Sequence, residues 1–171
     1  MYKRNEVYYE QIAKNISANI SSSINFSIDA GTSETWHNVK GFDNFNIVNT
    51  NLKKYRANSN HSEQIHLKYI LILGVNTHEH DYIGVVKIMK ELGINHLILS
   101  CDIRGKYKRS KKEIDELVFA TASLIEILHL NNLKCVMQNY SPNESKGVRA
   151  NFIKNLFKLG KVATIKDLLG K

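Results

Sequence analysis

The feature that most restricts this chain is a pattern met four times: a short β-rich run, followed within a few residues by a longer segment with helical spacing. The first run, Ser23 to Asp29, alternates strictly, with Ile24, Phe26 and Ile28 on one side and Ser23, Asn25, Ser27 and Asp29 on the other. The others are Ile65 to Leu73, Asn95 to Ser100 and Cys135 to Tyr140. A strand that is followed by a helix and then by another strand has room for a parallel crossover. The expected fold class is therefore α/β, with about four parallel strands and flanking helices. Four such units are half of an eight-unit barrel, so the architecture predicted is a partial (βα) barrel in a single domain over residues 1–171.

Helix signals fill the gaps. Val7, Ile12, Ile16 and Ile20 predict a helix over residues 7–20, ahead of the first strand. Asp29-Ala30-Gly31-Thr32 breaks that strand, and Thr32 or Ser33 is placed to cap a helix with Glu34 in its first turn. Phe42, Phe45, Val48, Leu52 and Tyr55 mark a further helix, entered at Gly41 and Asp43, and the polar stretch Ala57 to Glu63 reads as a loop. Ile83, Val86, Ile88, Met89 and Leu92 predict a helix from His80 that stops at Gly93. Ser110 and Glu113 form a capping-box pattern ahead of a long apolar stripe from Ile114 to Leu130, and Val148 to Leu159 predicts a closing helix.

Composition narrows the function classes. With 171 residues and 43% hydrophobic content the chain can bury a sizeable core. Its apolar runs fall far short of the roughly 20 residues that span a bilayer. No signal-peptide pattern opens the sequence, so a soluble cytoplasmic protein with reduced Cys101 and Cys135 is expected. A net charge of +8 raises nucleic acid as a partner. Against that, the charge is spread along a chain rich in Lys, Asn and Ile, and Trp36 and the tyrosines are too scattered to form a stacking platform. The densest basic run, Arg104 to Lys112, reads as a solvated loop. Neither a membrane nor nucleic acid is the expected partner. His78 and His80 flank Glu79 without a third ligand at a recognisable spacing, so no metal site is expected there.

No GxGxxG, GxxxxGKS/T or GxSxG follows any of the strands, which argues against dinucleotide-binding, nucleotide-hydrolysing and serine-hydrolase readings. The runs do end in polar residues, where βα folds place their chemistry. Ser27 and Asp29 close the first. Lys68 lies on the second, sharing a face with His66, Ile70 and Ile72, and Gly74-Val75-Asn76 ends it. Ser100 and Asp102 close the third.

These residues carry a resemblance. Ser27-Ile28-Asp29-Ala30-Gly31-Thr32, then Lys40-Gly41 with Asn51 to Tyr55, then Lys68 to Asn76, then Ile98-Leu99-Ser100-Cys101-Asp102 resemble, in order and spacing, part of the radical S-adenosylmethionine superfamily. The likeness runs from about residue 7 to residue 140 and falls on the family's fourth, fifth and sixth barrel units. It implies a (βα)6-type barrel portion that binds S-adenosylmethionine across the strand C-termini. Ser27 and Asp29 would lie near the ribose and amino-acid part, Lys68 would face the methionyl carboxylate, and Gly74, Val75 and Asn76 would lie under the adenine. Ser100 and Asp102 would stand at the sixth-strand end.

One departure matters. The family's CxxxCxxC has no counterpart among the two cysteines of this chain. A 4Fe-4S cluster needs thiolates at short loop spacing. The cluster is accordingly expected only in the full-length parent enzyme, and this chain is expected to be inactive alone. The implied partner is a polypeptide carrying the N-terminal cluster-binding half. The rival reading is a stand-alone half-barrel binding or scaffold protein that covers its strand edges by self-association, without catalysis.

Overall fold

In the computed structural model of the protein, residues 7–102 and 109–158 are described, the side chains of 156–158 excepted. Its strands β1 (Ile24–Ser27), β2 (Ile65–Leu71), β3 (His96–Cys101) and β4 (Lys134–Gln138) form one sheet in sequence order, each pair parallel. Around them run α1 (Glu10–Ala18), α2 (Ser33–Lys40), α3 (Phe45–Asn58), α4 (Glu79–Leu92), α5 (Lys111–Leu130) and α6 (Pro142–Lys158). The chain is thus α/β, with a four-stranded parallel sheet flanked by helices in the manner of a partial (βα) barrel.

Strand order explains the layering. When each crossover steps one strand further in the same sense, every connecting helix lands on the same face of the sheet. The burial pattern agrees: along β2, Ile65, Leu67, Tyr69 and Leu71 are buried while His66, Lys68 and Ile70 are only half-buried. Phe26, Leu67, Tyr69, Leu97 and Leu99 share one core cluster with Val48, Leu52, Val85, Met89 and Leu124 from the helices. The other face of the sheet has no such cluster among the described residues.

Several boundaries differ from those read in the sequence, and side chains set most of them. β1 stops at Ser27 because the Asp29 carboxylate, rather than a strand carbonyl, accepts the Ile70 N–H at 2.8 Å. β2 stops at Leu71 because Asn76 Oδ1 takes the Ile72 N–H at 2.7 Å. β4 covers Lys134–Gln138, since Asn139 turns into the left-handed region at φ 65°. Gly41, with φ 83°, ends α2 instead of opening α3, which leaves Phe42 outside both helices and exposed. α1 is shorter than the residues 7–20 expected, and Val7 and Ile20 are exposed at its flanks.

Three caps follow the expected chemistry. Thr32 Oγ1 accepts the Thr35 N–H at the start of α2, Gly93 ends α4, and Ser110 and Glu113 form a reciprocal capping box on α5. α6 begins at Pro142 rather than Val148, on a second box in which Glu144 takes the Ser141 N–H at 2.6 Å and Ser141 Oγ takes the Glu144 N–H at 3.2 Å. The Arg104 to Lys112 run and the end of the closing helix at Leu159 lie partly outside the described residues.

Candidate functional site

Strand register places the polar residues of the open face in rows. In a parallel sheet, residues level with one another point to the same side. Asn25 is level with His66, and His96 with Lys134, at the N-terminal end of the sheet. One step up, Ser27 stands beside Lys68, which is level with Ile98 and, through it, Val136. Higher still, Ile70, Ser100 and Gln138 are level. Lys68, Lys134, His66 and His96 carry no side-chain hydrogen bond or ion pair among the described residues. Ser100 is buried; its hydroxyl donates to the Cys101 carbonyl at 3.3 Å and accepts from Asn139 Nδ2 at 2.9 Å.

At the C-terminal ends of β1 and β2 the polar groups are bonded to one another. Asp29 is buried, and a buried carboxylate requires partners. One oxygen takes the Ile70 N–H, and the other takes Lys40 Nζ at 2.7 Å. Lys40 also lies 5.4 Å from the Trp36 ring centroid, a cation–π contact that steadies it. Asn76 is fully enclosed: its amide donates to the carbonyls of Asp29 and Ile70, both at 2.8 Å. Its own carbonyl accepts the Tyr69 hydroxyl at 2.7 Å. Gly74 supplies the left-handed turn, φ 72°, that brings Asn76 back under the strand ends. Burial raises the pKa of the Tyr69 phenol, helped by the Asp81 charge, so it stays a neutral donor.

The residues singled out from the sequence therefore lie on neighbouring strands in different ways, Lys68 in the middle of β2 and the others at or beyond strand ends. Ser27 and Lys68 lie side by side on the open face, and Ser100 lies on the next strand on the same side. Asp29 and Asn76 are joined to each other, with their side chains engaged inside the protein. Asp102 leaves β3 with its N–H on the Leu71 carbonyl at 3.1 Å, and its own carbonyl accepts from Arg109 Nη2. Gly74 and Val75 line a cleft of about 400 Å³ with Glu34, Asn38, His78 and His80. His78 and His80 are stacked, with ring centroids 5.6 Å apart at the start of α4, and no group of three metal-ligating side chains exists among the described residues.

Sequence reasoning missed three contributors. Lys40 brings a second ammonium group to the top of β1, a position that only the Asp29 contact reveals. Asp81, buried on α4, accepts the Gly31 N–H and the Thr35 hydroxyl, each at 3.0 Å, and so holds the β1–α2 loop against α4. The pair of Arg109 with the buried Glu144, at 3.4 Å, ties the segment after β3 to α6; Ser141-Pro142-Asn143-Glu144 was a legible capping signal for that helix.

Both thiols belong to the other side of the sheet. Cys101 is buried and donates to the Asn139 carbonyl at 3.1 Å, and burial pushes the Cys135 thiol up to about 11. Cys135 is therefore not an activated thiolate at neutral pH. No helix among the described residues is long and apolar enough to cross a membrane. No protein-family model, curated protein or solved structure matches the chain.

Proposed function

We propose that this chain is the S-adenosylmethionine-binding wall of a radical S-adenosylmethionine barrel, matching that barrel's C-terminal portion, and that a polypeptide carrying the cluster-binding half completes it. The observation that carries the reading is the Ser27–Lys68 pair: a hydroxyl and an ammonium group, level on adjacent parallel strands and facing the open side. Lys68 has no counter-ion among the described residues, as a group awaiting an anionic ligand would.

The donor set suits the amino-acid end of the cofactor. Lys68 would bind its carboxylate and Ser27 would orient it, while Lys40 is held by Asp29 in an ion pair at 2.7 Å and serves the strand end instead. Asp29 and Asn76 work one step removed: they fix the ends of β1 and β2, and so the position from which Ser27 and Lys68 project. When bound, the cofactor supplies a sulfonium whose carbon–sulfur bond breaks on one-electron reduction. The thiols here do not fit a cluster, since Cys101 and Cys135 lie on separate strands on the helix-covered side. The role assigned to this chain is therefore binding and orientation alone.

Calorimetric titration with S-adenosylmethionine tests this directly. The expected result is one-to-one binding that Lys68→Gln weakens about tenfold or more, the loss of one charge-assisted hydrogen bond, while Glu10→Gln on the distant α1 leaves it unchanged. Absence of binding, or equal affinity in Lys68→Gln, contradicts the proposal. The two sheet edges, β1 and β4, favour a second reading, a self-associating half-barrel without cofactor affinity. That reading predicts a discrete oligomer of the wild-type chain in sedimentation.

A further inference from the structure

We infer that this wall does not read the sulfonium charge of its ligand: it binds S-adenosylhomocysteine, the neutral thioether, at least as tightly as S-adenosylmethionine. The inference rests on the wall reading above and adds the ligand class that the wall accepts. That class is an α-amino acid bearing an adenosyl-substituted sulfur of either charge.

A cationic sulfur taken out of water is favoured by a carboxylate or by an aromatic face, and costs free energy without one. The open side of the sheet offers neither. Among the described residues, none of the four strands contains Asp or Glu. Their aromatic residues, Phe26 and Tyr69, are buried against the helices on the other side. The ionisable residues facing the open side are Lys68, Lys134, His66 and His96. Beside Lys68 stand Ser27 on β1 and Ile98 on β3. In the cofactor three carbons separate the carboxylate carbon from the sulfur. A carboxylate held by Lys68 therefore leaves the sulfur among a hydroxyl, alkyl groups and an ammonium of its own sign.

The carboxylates near the sheet are committed or distant. Asp29 takes Lys40 and the Ile70 N–H, and the buried Asp81 takes the Gly31 N–H and the Thr35 hydroxyl. Asp102 follows β3 four residues beyond Ile98, the residue level with Lys68, which is about 13 Å along the strand. Glu34 stands beside Gly74 and Val75, on the adenine side of the implied ligand. Glu63 lies in the turn before β2, at the opposite end of the sheet. Specificity is a difference of affinities, and this wall holds no group that distinguishes the sulfonium from the thioether in the sulfonium's favour. In the completed barrel that discrimination belongs to the cluster-binding half.

Calorimetric titration of the full chain with three ligands tests this. They are S-adenosylmethionine, S-adenosylhomocysteine and decarboxylated S-adenosylmethionine, which keeps the sulfonium and lacks the carboxylate. The expected Kd for S-adenosylhomocysteine is equal to that for S-adenosylmethionine or up to about tenfold lower, and the decarboxylated compound binds at least about tenfold more weakly than either. A preference for S-adenosylmethionine over S-adenosylhomocysteine above about tenfold overturns the inference and leaves the wall, since both ligands carry the carboxylate assigned to Lys68. Undiminished binding of the decarboxylated compound also overturns it, because the sulfonium is then what the chain reads. Failure of all three ligands to bind removes the wall reading itself, and this inference with it.

Discussion

Asn76 shows how much one side chain decides at the strand ends. Its amide holds three backbone groups: the N–H of Ile72 and the carbonyls of Asp29 and Ile70. Truncation to alanine strands all three in a buried site. Asn76→Ala is therefore expected to cost about 3 kcal/mol in denaturant unfolding, and a loss below about 1 kcal/mol would show that the knot is dispensable. Gln64 has a comparable role at the other end, donating to the carbonyls of Ile16, Asn19 and Ser22 and accepting from the Asn60 N–H. Asn76 was legible as the residue that ends the second strand, but its bond to the Asp29 carbonyl was not, nor were those of Gln64 to Ile16, Asn19 and Ser22, because these groups come from distant segments. Ser27 and Lys68 were legible, since strict alternation assigns a face whichever strand lies alongside. Asp29 was legible as polar and strand-terminal, but its pairing with Lys40 was not, because the i+11 spacing matches no local rule.

At the scale of elements, α4 and the loop after β1 pack backbone against backbone. A Cβ added at Gly84 would fall on the Gly31 carbonyl, and one added at Gly31 would fall on the Asp81 backbone, both well inside van der Waals contact. The two backbones touch, so Gly84→Ala must push α4 away from the sheet. The expected penalty from the forced separation is about 3 kcal/mol, which outweighs the gain of about 1 kcal/mol from helix propensity. Equilibrium unfolding of Gly84→Ala checks it; a neutral or stabilised variant would mean that the crossing is looser than described. Helices and strands were largely readable from period and caps. Their ends were read less well because the terminating bonds come from side chains such as Asp29, Asn76 and Glu144 rather than from the residues next in line.

For the molecule as a whole, Tyr69 and Tyr82 are enclosed and Tyr140 is half-buried, and burial raises all three phenol pKa values above that of a free tyrosine. Below about pH 10 both folded and unfolded chains keep these protons, and no stability depends on them. Above it the unfolded chain releases protons that the folded chain retains, so stability falls as pH rises toward the folded values, by about 1.4 kcal/mol per pH unit for each tyrosine. Of the eight tyrosines, these three should add their phenolate absorbance only together with the loss of helical circular dichroism. Ionisation of all eight ahead of unfolding would contradict the burial. The layered plan itself was legible: the expected α/β chain with about four parallel strands is the one observed. What packs on the open face was not, because alternation assigns a residue to a face without saying what covers that face.

The proposed ligand wall rests on Ser27 and Lys68, level with each other on the open face of the sheet. Amide chemical-shift mapping during titration with S-adenosylmethionine tests it most directly. The account predicts the largest shifts at Ser27, Lys68 and the Gly74–Asn76 turn, with α5 and α6 silent. Shifts confined to the helical layer, or none at all in the folded chain, would contradict it.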